Sequence, residues 1–509
     1  DVDESGAVDA TDWYTDADGD GYGDAFDSVA CDQPSGTAAV DGDCDDADAA
    51  TSPAETEVCS DGIDNDCSGD APECELSGET DDTDALVILT GVTSTYESLT
   101  LASGDYDAYG EHDLIMGLAD YNGGDGRLYV ASGPRASGGI SGATIVSASS
   151  TGEELGAAAL LAGDLMADGR SYLLVGGTGY GGTGGLAVAS VPLSKFIPFD
   201  EGIVLIGDEA GSRTGASVAL GSDDDGDGAS SLVLGAPDHS VSSTGGAGEL
   251  YVVEAVDVIS NDYASDLASA VLQGQGEDEA LGDVMLGDKD LDGDGTGDLV
   301  ASAPGADAGN GAAYLFLGPL SGTTTAADSD AEWVGSGTGT EAVGAALAST
   351  DIDGDGQSDL VVGAAGVDIT VAGEGIAYVV LGPLTSGGQL TDVSAVAIQG
   401  SDESGGFGRR LQAGDFDNDG LGDVVVSAPA ASVGAEGAGA VYLLSGPLSG
   451  TISDTDSDAT IRGTTAGGLA GSTLTTIAPD EYGARATHSI VFGTGTLDGS
   501  IYEVLLSSP

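Results

Sequence analysis

Residues Asp415, Asp417, Asp419 and Asp423 stand at positions 1, 3, 5 and 9 of a nine-residue stretch whose sixth residue is Gly420. Carboxylates at alternate positions can converge on a hard cation, and the glycine permits the sharp turn this needs. Calcium takes about six to eight oxygens at roughly 2.3–2.6 Å, so the main-chain carbonyl of Leu421, at position 7, extends the donor set. A helix-flanked calcium loop would place a bidentate Glu at position 12. That position is Val426, inside the β-branched run Val424-Val425-Val426, so the loop joins two strands.

The same spacing recurs along the chain. Asp351, Asp353, Asp355 and Asp359 repeat it with Gln357 at position 7, and Asp290, Asp292, Asp294 and Asp298 repeat it with Thr296 there. Asp223, Asp225 and Asp227 form a copy in which Ser231 replaces the last carboxylate. Asp105, Asp107 and Asp113 form a weaker copy with Tyr109 at position 5, and the frame starting at Asp164 is eroded, so no ion is expected there. Near Asp480 the ligands are gone. Asp16, Asp18, Asp20 and Asp24, with the Tyr22 carbonyl, make a complete loop that no apolar strand follows, which puts it in a different kind of unit. Asp43, Asp45, Asp46, Asp48, Asp64 and Asp66 are weaker candidates in the same region. The expected cofactor is calcium, about four to six ions.

These loops are positioned by a repeated set of elements. An apolar-glycine dipeptide precedes the loop at Leu155-Gly156, Leu281-Gly282, Val343-Gly344 and Phe407-Gly408, with Thr214-Gly215 a weaker copy. An apolar strand follows, closed by Ala236-Pro237, Ala303-Pro304 or Ala428-Pro429. A glycine-rich turn then leads to a strand headed by Tyr251, Tyr314, Tyr378 or Tyr442, and a fourth short strand comes next. Successive first aspartates lie 59, 59, 67, 61 and 64 residues apart, a period that fits one four-stranded blade. In order and content these parts resemble the FG-GAP repeat of the integrin α-subunit. The resemblance runs from about residue 85 to the end of the sequence and implies an all-β, seven-bladed β-propeller. Its third strands begin near Tyr129, Leu186, Tyr251, Tyr314, Tyr378, Tyr442 and Tyr502. The sequence stops after a third strand, so the apolar strand Ala85–Gly91 is expected to complete the last blade and remove two exposed edges.

Composition sets the outer bounds. The 509 residues include 87 Gly and only 5% aromatics, and 10 Lys+Arg stand against 88 Asp+Glu, a formal charge of −78. Such a field repels nucleic acid and anionic lipid and attracts divalent cations; a solvated acidic surface explains the amount of Asp but not its spacing. No run of 18 apolar residues is present, so no membrane span is expected. All five cysteines, Cys31, Cys44, Cys59, Cys67 and Cys74, fall within residues 31–74. That clustering indicates a small stapled module in an oxidising compartment, with zinc the alternative. A segment with so little apolar content must be ordered by ions and bridges. Residues 12–70 resemble the Asp/Cys-rich metal-binding region of MopE-like bacterial surface proteins, and the first loop resembles a thrombospondin type 3 calcium repeat. The MopE resemblance implies bridges Cys31 to Cys44 and Cys59 to Cys67, with Cys74 left over. It also brings copper with it, but no His precedes His112, so the donors favour calcium.

The expected organisation is a calcium- and disulfide-stabilised irregular module at 1–75, an acidic linker at 76–84 and the propeller at 85–509. His112, His239 and His488 fall in different repeats without a partnered nucleophile, so no catalytic set is assigned. The resulting reading is a secreted or cell-surface protein of bacterial type; a start at Asp1 instead of Met fits either a removed signal peptide or upstream sequence that is absent here. It binds a protein or glycan ligand on the propeller face. The alternatives are a structural subunit of an extracellular fibre or surface layer, self-associating through the N-terminal module, and, less favoured, a polysaccharide-active enzyme.

Overall fold

The computed structural model describes residues 11–19, 21–47, 51–53, 67, 78–90, 99–107, 109, 112–133, 135, 137–193, 199, 202–223, 228–337, 340–370, 372–417, 419–478, 488–495 and 499–505. They fall into two compact units, one built mainly on the first 76 residues and one on residues 77 onward.

The N-terminal unit holds a three-stranded sheet in which Thr11–Thr15 lies between Phe26–Ala30 and Thr37–Ala38. Trp13 anchors one side by donating its Nε1–H to the Ala30 carbonyl at 3.0 Å. The disulfide here joins Cys44 to Cys67, with Cα atoms 5.5 Å apart. This corrects both expected bridges, Cys31 to Cys44 and Cys59 to Cys67. The reason is topological: Cys31 leaves the sheet at the end of one edge strand, whereas Cys44 follows the other edge, with the central strand between them. Cys59 and Cys74 lie outside the described residues.

The second unit is all-β apart from short helical turns. Among the described residues it contains seven blade-like sheets, each with four antiparallel strands at its heart. In the fifth these are Val343–Thr350, Asp359–Ala364, Ile376–Val380 and Val396–Gln399. Second strands read as unbroken apolar runs because both of their faces are covered. Leu360 and Val362 pack into the cluster shared with the fourth sheet, while Val361 points the other way into the cluster shared with the sixth. Leu232 and Leu234 against Val233 repeat the alternation two sheets earlier. The core is thus a series of inter-sheet layers. The first strands meet in a closed ring, in which Leu99–Gly104 touches both Leu155–Asp164 of the second sheet and Thr473–Ile477 of the seventh.

Val87–Thr90 completes the seventh sheet by pairing antiparallel with Ser500–Leu505, Ile501 opposite Leu89. The acidic stretch before it, read from the sequence as a linker, is also paired: Gly78–Asp81 runs parallel to Ala459–Arg462 as a fifth strand of the sixth sheet. Five other sheets receive a short parallel fifth strand in the same way, such as Gly450–Ser453 on the fifth and Gly322–Thr325 on the third. Each donor segment precedes the fourth strand of the neighbouring sheet, so residues 78–81 fill the corresponding place in the seventh. Two of the ten cations secure this closure. Arg462 pairs with Glu79 and Asp81, and Arg135 forms a buried ion pair with Glu503 at 3.0 Å while donating to the His112 carbonyl at 2.7 Å. An ion pair buried this completely is destabilising once one partner is lost.

The apolar-glycine dipeptide is the hinge by which one sheet starts against its predecessor. Phe407 is fully buried and bridges to Gly375 of the preceding sheet. Gly408 has φ +85°, and a Cβ there would lie 2.5 Å from the Ile376 carbonyl oxygen. Gly408→Ala should therefore lower stability by about 2–4 kcal/mol, combining left-handed strain with overpacking. Gly245→Ala, where a Cβ meets nothing within 4 Å, should change it by less than about 0.5 kcal/mol. Denaturant melts of the two variants check the difference.

Candidate metal centres

Every loop of the repeated aspartate type joins a first strand to a second strand, and the backbone shapes it before any ion is considered. Asp290 Oδ1 accepts from the Gly293 amide at 2.7 Å and its Oδ2 from Gly295 at 2.9 Å. Asp351 does the same with Gly354 and Gly356, both at 2.8 Å. Position 3 accepts from position 5, as in Asp292 from Asp294 and Asp417 from Asp419. Position 5 accepts from position 7, as in Asp294 from Thr296 and Asp355 from Gln357. The curl turns the carboxylates inward. Oxygens of Asp290, Asp292 and Asp294 come within 4.8 Å of one another, as do those of Asp351, Asp353 and Asp355. In the loops 105–113 and 415–423 the converging sets are Asp105, Asp107 and Asp113, and Asp415, Asp417 and Asp423. Asp419 is exposed and outside its set.

Position 9 has a second role that spacing alone did not reveal. Asp113, Asp298, Asp359 and Asp423 open the second strands and are all buried. In each, Oδ2 accepts the amide of loop position 2, from Tyr106, Leu291, Ile352 or Phe416, at 2.7–2.8 Å. Oδ1 accepts an amide from beyond the third strand, from Gly133, Gly318, Gly382 or Gly446, at 2.8–3.0 Å. One carboxylate thus ties the loop to the next turn of its own sheet. The sequence signal was present: an aspartate heading an unbroken apolar strand must be buried and must find donors.

Other expected positions divide as follows. In the N-terminal unit Asp16 and Asp18 converge with Asp46, not with Asp24. Asp46 also accepts from the Ala17 amide at 2.8 Å, so the loop is completed from 28 residues further along. Tyr22 is half-buried and Asp24 is exposed. Asp43 is buried and accepts from the Asp45 amide. Asp223 accepts from Gly228, and in the eroded frame Asp164 accepts from Gly169 while Tyr172, at position 9, donates its hydroxyl to Asp168. Asp20, Asp48, Asp64, Asp66, Asp225 and Asp227 lie outside the described residues.

The electrostatics of the loops suit a cation. Asp415 Oδ1 is buried and takes no hydrogen bond, an anionic oxygen for which a positive ion is the natural partner. Burial pushes the carboxyls of Asp113, Asp298 and Asp359 above the usual range; the backbone amide donors work against this, and neighbouring loop aspartates add to it. A bound divalent ion would reverse the balance, held by the position 1, 3 and 5 carboxylates in the loops starting at Asp290 and Asp351 and by positions 1, 3 and 9 in those starting at Asp105 and Asp415.

Residues 343–380 and 407–444, which contain two of these loops, match the FG-GAP repeat model. The chain carries FG-GAP repeats. Residues 43–73 match the MopE copper-binding model, a metal-binding motif. Integrin alpha-4 of Xenopus laevis is 38% identical over 107 residues, 20% of this chain and 10% of the relative. Integrin alpha pat-2 of Caenorhabditis briggsae is 31% identical over 173 residues, 31% of this chain and 13% of the relative. The chain therefore spans only about a tenth of the length of these curated relatives. Among solved structures, one titled "Crystal structure of BBS1N in complex with ARL6DN, soaked with lead" covers 85% of this chain and 97% of that chain, at TM-score 0.44 and 9% identity. That likeness is too low to support an argument. The two integrin matches and the FG-GAP repeats agree with the blade-like sheets in pointing to a propeller-like fold.

A raised carboxyl pKa means that the folded chain holds its proton more tightly than the unfolded chain does. Without metal, stability should then fall as pH rises from the ordinary Asp range upward. Melting temperatures in chelator should drop as the pH rises above about 4, the ordinary Asp value, and the gain on adding millimolar calcium should grow in the same direction. Calorimetry across that range checks both slopes.

Proposed function

We propose that this chain is a secreted, calcium-stabilised, seven-bladed propeller that recognises a protein partner outside the cell. The observation that carries the reading is the recurrence of converging aspartates within FG-GAP-type loops. The integrin α relatives support a protein ligand and an adhesion-type, non-enzymatic role. A disulfide in the N-terminal unit suits an extracellular setting, and no helix of the described residues is long and apolar enough to cross a membrane. Calcium is preferred over softer ions because the donors are all oxygen. With a formal charge of −78, even five divalent ions leave the chain strongly acidic, so the favoured partner presents a basic surface.

The test is to probe an array of extracellular proteins with the labelled full chain, in millimolar calcium and again in chelator. Saturable binding to particular proteins that is lost in chelator is the expected result. Binding to none, or binding indifferent to chelation, would overturn the reading. Mass photometry of the same sample separates recognition by a monomer from assembly of the chain into a fibre.

A further inference from the structure

Ten basic residues stand against 88 acidic ones, yet the adjacent Arg409 and Arg410 form no ion pair with any described residue. They follow Phe407-Gly408 and lead into Leu411–Gly414, the innermost strand of the sixth sheet. In the second to fifth and seventh sheets the place of Arg410, second after the glycine that starts the sheet, holds Ala158, Ser217, Val284, Ala346 and Thr473, all uncharged. Backbone bonds fix the spot. The Arg410 amide donates to Ser427 Oγ at 3.1 Å, and the Ser427 amide donates to the Arg410 carbonyl at 3.0 Å. Leu411 packs into the layer shared with the fifth sheet, so Arg410 leaves the chain on the other face.

The Arg410 side chain is half-buried and nearly unbonded. Its Nη1 donates to the Arg409 carbonyl at 3.4 Å, while Nε and Nη2 make no hydrogen bond and are not sealed from solvent. Those two nitrogens form the edge of the fork that grips a carboxylate side-on. Arg135 shows that edge filled, with Nε donating to Glu503 Oε2 at 3.0 Å and Nη2 to Oε1 at 3.4 Å. Burial pushes the Arg410 guanidinium down to about 10; Arg409 beside it adds to the fall, and Asp283 of the fourth sheet opposes it. Asp283 belongs to a sheet two places away, so its charge acts across the ring of first strands, from beyond ion-pair distance. The mouth of that ring has room. Ala157 and Ala216, which follow the starting glycines of their sheets as Arg409 follows Gly408, line a cavity of about 440 Å³. A charged group that has given up water for one long hydrogen bond lacks a counter-ion.

We propose that Arg410, with Arg409 beside it, binds a carboxylate at the mouth of the ring of first strands. The free edge calls for two oxygens in one plane, which chloride does not have. Sulfate offers two oxygens but carries two negative charges toward a chain of formal charge −78, whereas a carboxylate carries one. The metal loops leave the opposite ends of the first strands, so this site is separate from them. Nor does it rest on the protein partner proposed above. The carboxylate can come from a small organic acid or from a polypeptide side chain, and the experiment separates these sources.

The calcium-loaded full chain, isotopically labelled at its arginines, should be titrated by NMR with sodium acetate and with the capped residue N-acetylglutamate amide. Sodium chloride and sodium sulfate at matched ionic strength provide the comparison. The Nε–H signal of Arg410, identified by its loss in Arg410→Gln, should move saturably with both carboxylates and with neither inorganic anion. Asp283→Asn, which removes the opposing charge, should tighten acetate at least twofold, and Arg409→Gln should weaken it at least twofold. Arg170→Gln, at a pair with Asp168 in a metal-type loop, should leave it unchanged. Tighter binding of the capped glutamate than of acetate makes a polypeptide the source, and the reverse makes it a small free acid; both support the site. Melting provides the structural control. Without acetate, Arg410→Gln should melt no lower than wild type, because only one long hydrogen bond is lost, and the gain in melting temperature that acetate gives wild type should be absent. No saturable movement of the Arg410 signal with either carboxylate, an equal response to chloride or sulfate, or an acetate gain that survives Arg410→Gln means a solvated arginine only and overturns the proposal.

Discussion

The aspartate at position 9 of four of the loops, Asp113, Asp298, Asp359 and Asp423, is the constraint on which those repeats depend. Its two oxygens take one amide from the loop and one from beyond the third strand, so a single buried carboxylate fixes the loop's entry and the sheet's far turn together. Buried carboxylates are tolerated only when their lone pairs are filled in this way. With that anchor set, the remaining loop carboxylates have nowhere to fold but toward one another. Their mutual repulsion creates the demand for a cation, and calcium, as proposed here, would meet it without any change in the sheets.

The same economy of charge governs the rest of the molecule. With 88 acidic residues and 10 basic ones, most carboxylates face solvent, amides or each other. Two of the few arginines are placed where the first and last parts of the ring meet, Arg135 on Glu503 and Arg462 on Glu79 and Asp81. Elsewhere adjacent sheets are held by apolar layers whose alternation along each second strand lets one residue run serve two neighbours. Closure joins segments far apart in sequence and gains from specific pairs, whereas interior sheets are also neighbours along the chain.

Much of this was legible in the residues. Carboxylate spacing gave the loops, unbroken apolar runs gave the second strands, and the missing fourth strand of the last repeat identified Val87–Thr90 as its complement. What stayed hidden depended on three-dimensional adjacency. The bridge between Cys44 and Cys67 follows from which side of a small sheet each chain leaves, and the distance along the sequence does not encode that. Asp46 joins Asp16 and Asp18 for the same reason. The acidic stretch 78–84 was different, because a signal existed. Asp82-Thr83-Asp84 repeats Asp454-Thr455-Asp456, and both form the short helical turn after a parallel edge strand. Judged by acidity it looked like a tether; judged by the repeat it is the connector before a fourth strand.

Hydrogen exchange at single amides tests the division of labour between the position 9 aspartates and the ion. The amides of Leu291, Ile352 and Phe416 should stay protected with calcium and in chelator, because a buried carboxylate holds them in both states. Those of Gly293, Gly295, Gly354 and Gly356, on the outer loop, should lose protection only when calcium is removed. Equal exchange of all seven with and without calcium would contradict a metal-held loop, and loss of protection at Leu291, Ile352 and Phe416 in step with the outer glycines would contradict the aspartate brace.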